Sequence, residues 1–164
     1  MPRPADVQEV FFDAMNGGYT GGGKETAIQE LPGSKLIRFE KGYYLVTDCW
    51  FTTEGSDNSW GFTQIYHKGQ PIWVMTYGGF YPSLAIPFLK QALAETYKAR
   101  EFQGCRGPRR YEGDGLSYTN EWHGHLIVGR DRPFARFEGK EYIHHDGVLV
   151  GTYTYDATQL VHLS

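Results

Sequence analysis

Six of the 17 positions from Gly61 to Tyr77 recur 78 residues further on, in Gly139–Tyr155. They are Gly61/Gly139, Ile65/Ile143, His67/His145, Gly69/Gly147, Thr76/Thr154 and Tyr77/Tyr155. Unrelated stretches of average composition would share about one. Ile, Thr and Tyr match outside the turn, so the likeness is more than two hairpins sharing turn glycines. Upstream, Asp48-Cys49-Trp50 resembles Asn120-Glu121-Trp122. A chain with such a repeat is constrained to build one supersecondary unit twice.

The local patterns fit that constraint. Val7, Val10, Phe11 and Ala14 recur at helical spacing, which predicts a helix over Pro4–Asn16, with Pro4 in its first turn and Gly17 just past its end. Strands are expected at Leu36–Glu40, Tyr43–Phe51, Trp60–His67 and Ile72–Tyr77. A second helix is expected over Ser83–Lys98, starting near Ile86 because Pro87 is tolerated only in a first turn. A short strand near Arg110 and longer ones at Leu116–His123, Ala135–His144 and Val148–Tyr155 complete the chain, with Asp114-Gly115 and Asp146-Gly147 as hairpin turns. Aromatics make up 16% of residues and glycines number 21, a composition suited to pleated surfaces and tight turns.

Net charge is −3, which argues against a polyanion held by charge alone. The two cysteines, Cys49 and Cys105, do not make a disulfide framework. Uninterrupted apolar runs are far too short for a membrane span, and no signal segment is recognisable, so a cytoplasmic protein is expected.

Chemistry-bearing residues are sparse. Gly18–Glu25 spells Gly-x4-Gly-Lys, but a helix precedes it and Glu25 stands where a phosphate loop needs a hydroxyl, so it reads as a connector. His123 and His125 would share a strand face, but no histidine spacing matches a zinc motif, and no metal or other cofactor is expected. Arg106-Gly107-Pro108-Arg109-Arg110 reads as a solvated or ion-paired basic loop; nucleic acid is not the expected partner. Asp48 shares a strand face with Tyr44, Val46 and Trp50, and a carboxylate among bulky side chains is either paired or poised.

Several segments resemble a bacterial family, the domain of unknown function 5680. They are Tyr19-Thr20-Gly21-Gly22, the strand Tyr44–Trp50, Trp73–Gly79, Arg106-Gly107-Pro108 and Phe137–Ile143, in that order along nearly the whole chain. The resemblance implies a domain often carried behind a helix-turn-helix segment, and it implies no activity or catalytic residue. The chain departs from the pattern at Gly61-Phe62-Thr63, where Gly-x-Glu is expected.

The reading is an α+β domain of two repeats, about residues 4–79 and 82–157. Each is a helix on a four-stranded antiparallel unit, with an order that resembles cystatin-like units by analogy of fold only. A single barrel-like β domain with two peripheral helices is the alternative. The expected function is binding, without catalysis, of a small molecule or a protein partner, in a regulatory setting. The alternative is a small hydrolase or isomerase using Asp48 or Glu141 with a histidine. A ligand site is expected where Asp48-x-Trp50 and Asn120-x-Trp122 meet, extended by Tyr44, Tyr118 and Arg106. The competing reading has both indoles filling the core while Asp48 and Asn120 bond loop backbone.

Overall fold

The structure, a computed structural model, describes residues 2–124 and 134–161. His125 and His162 lie outside the described residues, so the His123/His125 pair is not placed. The fold is α+β: one antiparallel eight-stranded sheet with two helices.

Helix α1 (Pro4–Gly17) is followed by strands β1 (Ser34–Lys41), β2 (Tyr44–Thr52), β3 (Asn58–His67) and β4 (Gln70–Phe80). A 3-10 turn (Ser83–Ala85) leads into helix α2 (Ile86–Ala99), where Pro87 occupies the first turn. Strands β5 (Arg110–Gly113), β6 (Leu116–Gly124), β7 (Arg136–His145) and β8 (Val148–Gln159) complete the order. Most strands run one to four residues past the pattern in the sequence at one end or both, because ladder pairing continues beyond the last alternating apolar residue.

Strand order is β1-β2-β3-β4-β8-β7-β6-β5, so two meanders meet edge to edge at β4 and β8. Tyr77 lies directly opposite Tyr155 at that seam. On either side of it, Gly61 pairs with Tyr77 and Gly139 with Tyr155, and then Trp50 pairs with Gly61 and Trp122 with Gly139. The ladder shifts register between Ile65 and Tyr66 in β3 and between Ile143 and His144 in β7. The turns that follow have positive φ at Lys68 (51°) and Gly69 (76°), and at Asp146 (48°) and Gly147 (80°). Two successive left-handed residues give the turn whose twist suits a hairpin, and glycine takes the second position without steric cost.

The two helices touch one another and pack on one face of the sheet. Phe11 of α1 sets its ring edge against Trp73 of β4 at 5.7 Å and against Tyr97 of α2 at 5.9 Å. Trp73, fully buried, stacks on Phe134 at 5.1 Å and donates its indole N–H to the Phe134 carbonyl at 3.2 Å. Cys49 and Cys105 are buried and free. Among the described residues no helix is long and apolar enough to cross a membrane.

Candidate functional site

Strand β2 alternates faces, so Val46, Asp48 and Trp50 all point under the helices. Asp48 is only 8% exposed. Its Oδ1 accepts hydrogen bonds from the Tyr77 hydroxyl at 2.5 Å and from the Thr63 hydroxyl at 3.1 Å. Burial pushes the Asp48 carboxyl above the ordinary carboxylate range, against the opposing pull of the Tyr77 and Thr63 bonds and of the Arg106 charge.

The same register place in the other half holds Asn120, which is 1% exposed. Its Oδ1 accepts from the Tyr155 hydroxyl at 2.5 Å. Tyr155 reaches it across Gly139, where a Cβ would collide with that hydroxyl. The outer atom, Nδ2, donates to the carbonyls of Gln103 at 2.9 Å and Gly107 at 2.8 Å. The loop carrying those carbonyls also covers Trp122: Gln103 Oε1 accepts its indole N–H at 3.1 Å, and a Cβ on Gly104 would press on the indole. The space above Asn120 is therefore filled by the chain itself.

Above Asp48 the equivalent space is a cavity of about 280 Å³. Its polar floor is Asp48, Thr63 and Tyr77, its apolar walls include Trp50, Met75 and Leu89, and Arg106 reaches it from the other half. Tyr19, just past α1, packs edge-on against Trp50 at 5.9 Å, as Phe102, just past α2, packs against Trp122 at 5.0 Å.

Of the two states expected for the basic loop, solvated or ion-paired, Arg106 takes the second: it is 7% exposed and forms a bidentate pair with Glu141, which is fully buried. Nε donates to Oε1 at 3.1 Å and Nη2 to Oε2 at 2.9 Å. The Tyr118 hydroxyl also donates to Oε1, and that of Tyr81 to Oε2 at 3.4 Å. The guanidinium lies 5.7 Å from the Tyr77 ring and 5.9 Å from the Tyr153 ring. A fork this well matched holds a buried guanidinium charged and in one orientation. Glu141 is thus occupied, and by residue order Gly139-Lys140-Glu141 is the counterpart of Gly61-Phe62-Thr63.

Among the described residues, no hydrogen bond reaches Oδ2 of Asp48 or Nη1 of Arg106. Both side chains line the cavity. Rim charges of both signs surround its mouth: Lys35 pairs with Glu25 at 3.9 Å, and Lys90 lies 4.6 Å over the Tyr19 ring.

The cavity brings together Asp48, Trp50 and Arg106 of the expected site. Asn120 and Tyr118 face the loop and Glu141 instead, Trp122 borders an open hollow with Arg109 and Trp60, and Tyr44 packs near His67 at 4.9 Å. Thr63 and Met75 carry no site signal in the sequence, and Tyr77 carries only its recurrence as Tyr155; the bond to Asp48 is what places Tyr77 in the site. The described residues contain no cluster of three or more His, Cys, Asp or Glu placed to hold a metal ion.

No curated protein and no solved structure matches this chain. A family model does match, over residues 51–160, which takes in Thr63, Tyr77, Arg106, Asn120, Trp122 and Glu141 and begins immediately after Trp50. The chain belongs to the family described as domain of unknown function (DUF5680).

Proposed function

We propose that this is a cytoplasmic domain that binds a small molecule over Asp48 and Trp50 as a regulatory input, without catalysis. The observation that carries the reading is the difference between two equivalent places. One is filled by residues 103–107, while the other is a cavity of about 280 Å³ with an unmatched carboxylate oxygen and an unmatched guanidinium nitrogen on its lining. That size is close to the lower end for small-molecule sites, and a few convergent polar groups among aromatic walls are their usual lining. Polar atoms that line a cavity and have no partner in the chain are open to a ligand group that supplies one.

The catalytic alternative needs a carboxylate beside a histidine. Among the described residues the cavity lining holds no histidine, and Glu141 is bound by Arg106, Tyr118 and Tyr81. The binding reading is preferred on that ground. Within the binding reading Asp48, Trp50 and Arg106 are ligand contacts. Asn120, Trp122, Tyr44 and Tyr118 belong to the supporting structure around them.

The repeated register, bulge and turn also support an origin of the two helix-plus-four-strand runs by duplication, in an order analogous to cystatin-like units. One copy then kept an open site while the other closed over its own.

A fragment screen by protein NMR tests the binding reading. Shifts clustered on the Trp50 indole and the Met15 and Met75 methyls are expected. Shifts confined to other surfaces, or none at millimolar fragment, would refute it.

A further inference from the structure

The filled half of the molecule tells what the open half accepts. In both halves a tyrosine from the seam strand fixes the inner oxygen of the β2 or β6 side chain: Tyr77 to Asp48 Oδ1, Tyr155 to Asn120 Oδ1. In both, the outer atom is left to meet whatever lies above it. In the filled half that atom is Nδ2, a donor, and what lies above it is a pair of backbone carbonyls. In the open half it is Oδ2 of Asp48, which in the ionised form that a bound cation would hold accepts and does not donate. Complementarity therefore requires a donor above Asp48.

Charge points the same way. The buried groups around the cavity are two carboxylates, Asp48 and Glu141, against one guanidinium, Arg106, and that guanidinium is spent on Glu141 by its bidentate pair. A cation placed on Asp48 brings the cluster to neutrality, which a low-dielectric site favours. The walls add to this, since the indole of Trp50 presents aromatic surface to the same space, and such surface attracts an ammonium.

Building on the binding reading above, we infer that the ligand is a small organic amine, its ammonium donating to Asp48 Oδ2 with its apolar body against Trp50. Benzylamine, benzyl alcohol and benzoate share a ring and differ in the head group, so they separate a cation from a neutral hydroxyl and from an anion drawn to Arg106 and the rim lysines.

The test titrates each probe into methyl-methionine- and indole-labelled protein, reading the Trp50 and Met75 resonances. Benzylamine is expected to bind at least tenfold more tightly than the other two, and Asp48→Asn is expected to abolish that preference. Benzyl alcohol or benzoate binding as tightly as benzylamine in the unaltered protein overturns the amine inference and leaves the cavity reading standing. A preference for benzylamine that survives Asp48→Asn overturns the assignment to Asp48. If none of the three moves these resonances, the cavity reading itself fails, and the ligand class with it. The comparison in unaltered protein decides the question even if Asp48→Asn folds poorly.

Discussion

The Asp48 half and the Asn120 half share a backbone plan and differ in how the space above β2 and β6 is used. Around Asn120 the amide and the neighbouring carboxylate are matched within the chain: Oδ1 by Tyr155, Nδ2 by two carbonyls, and Glu141 by Arg106, Tyr118 and Tyr81. Around Asp48 only the inner oxygen is matched, by Tyr77 and Thr63. The contrast follows from two differences at matching register places, Asp48 against Asn120 and Thr63 against Glu141, together with the path of one loop. A saturated network stabilises the fold, and an unsaturated one beside a cavity leaves room for a ligand.

That contrast is most exposed to removal of the charge that holds Arg106. Glu141→Gln leaves a buried guanidinium without its counter-ion, a loss expected at about 3–5 kcal/mol in urea unfolding. Its counterpart Thr63→Val removes one of two donors to Asp48 and is expected to cost only about 0.5–1.5 kcal/mol. Equal losses would mean the two networks are not differently committed.

Next in size is Asn120→Asp, which makes the closed half chemically like the open one. The new carboxylate would face the Gln103 and Gly107 carbonyls without a proton to share, at about 1–3 kcal/mol for each orphaned group. The loss is expected to shrink in acid, where the carboxyl is protonated. Unfolding curves at neutral and acidic pH check both points.

A symmetric pair follows. Gly61→Ala and Gly139→Ala each put a methyl into backbone oxygens, those of Cys49 and Glu121 respectively. Overpacking of this kind costs about 1–3 kcal/mol, so a loss of stability is expected at both positions, the larger at Gly139, where the methyl also meets the Tyr155 hydroxyl. A tolerated change at one and not the other would break the equivalence of the halves.

The smallest effect is recognised by its pH dependence. Asp48 binds its proton more tightly folded than unfolded, because burial raises it. Its contribution is complete below the unfolded carboxylate value of about 3.9 and is lost as pH rises through the raised folded value. Asp48→Asn escapes that loss. Its stability relative to the unaltered protein is therefore expected to increase as pH rises through that window and to level off above it. A pH series of melting temperatures checks the sign, and a difference that grows toward acid would contradict it.

Much of the architecture was legible because it rests on local rules. Alternating faces in β2 place Asp48 and Trp50 together, Pro87 fixes the start of α2, and Gly69 and Gly147 mark equivalent turns. The six recurring positions include Tyr77 and Tyr155, whereas their meeting across β4 and β8 is a matter of strand pairing alone. Periodicity reports which side of a strand a residue faces, and turn chemistry reports where the chain reverses.

Only the tertiary structure decided what those side chains meet. Arg106 reads as part of a basic surface loop because four of the eight residues from Gln103 to Arg110 are Gly, Pro or Cys and three are Arg. Its burial depends on Glu141, 35 residues away in sequence and brought beneath the loop by β7. Likewise Asp48 and Asn120 look alike beside their tryptophans, yet one faces a cavity and the other a loop. No local pattern encodes that difference, because the filling of a space is set by segments that meet only when the sheet and helices are assembled.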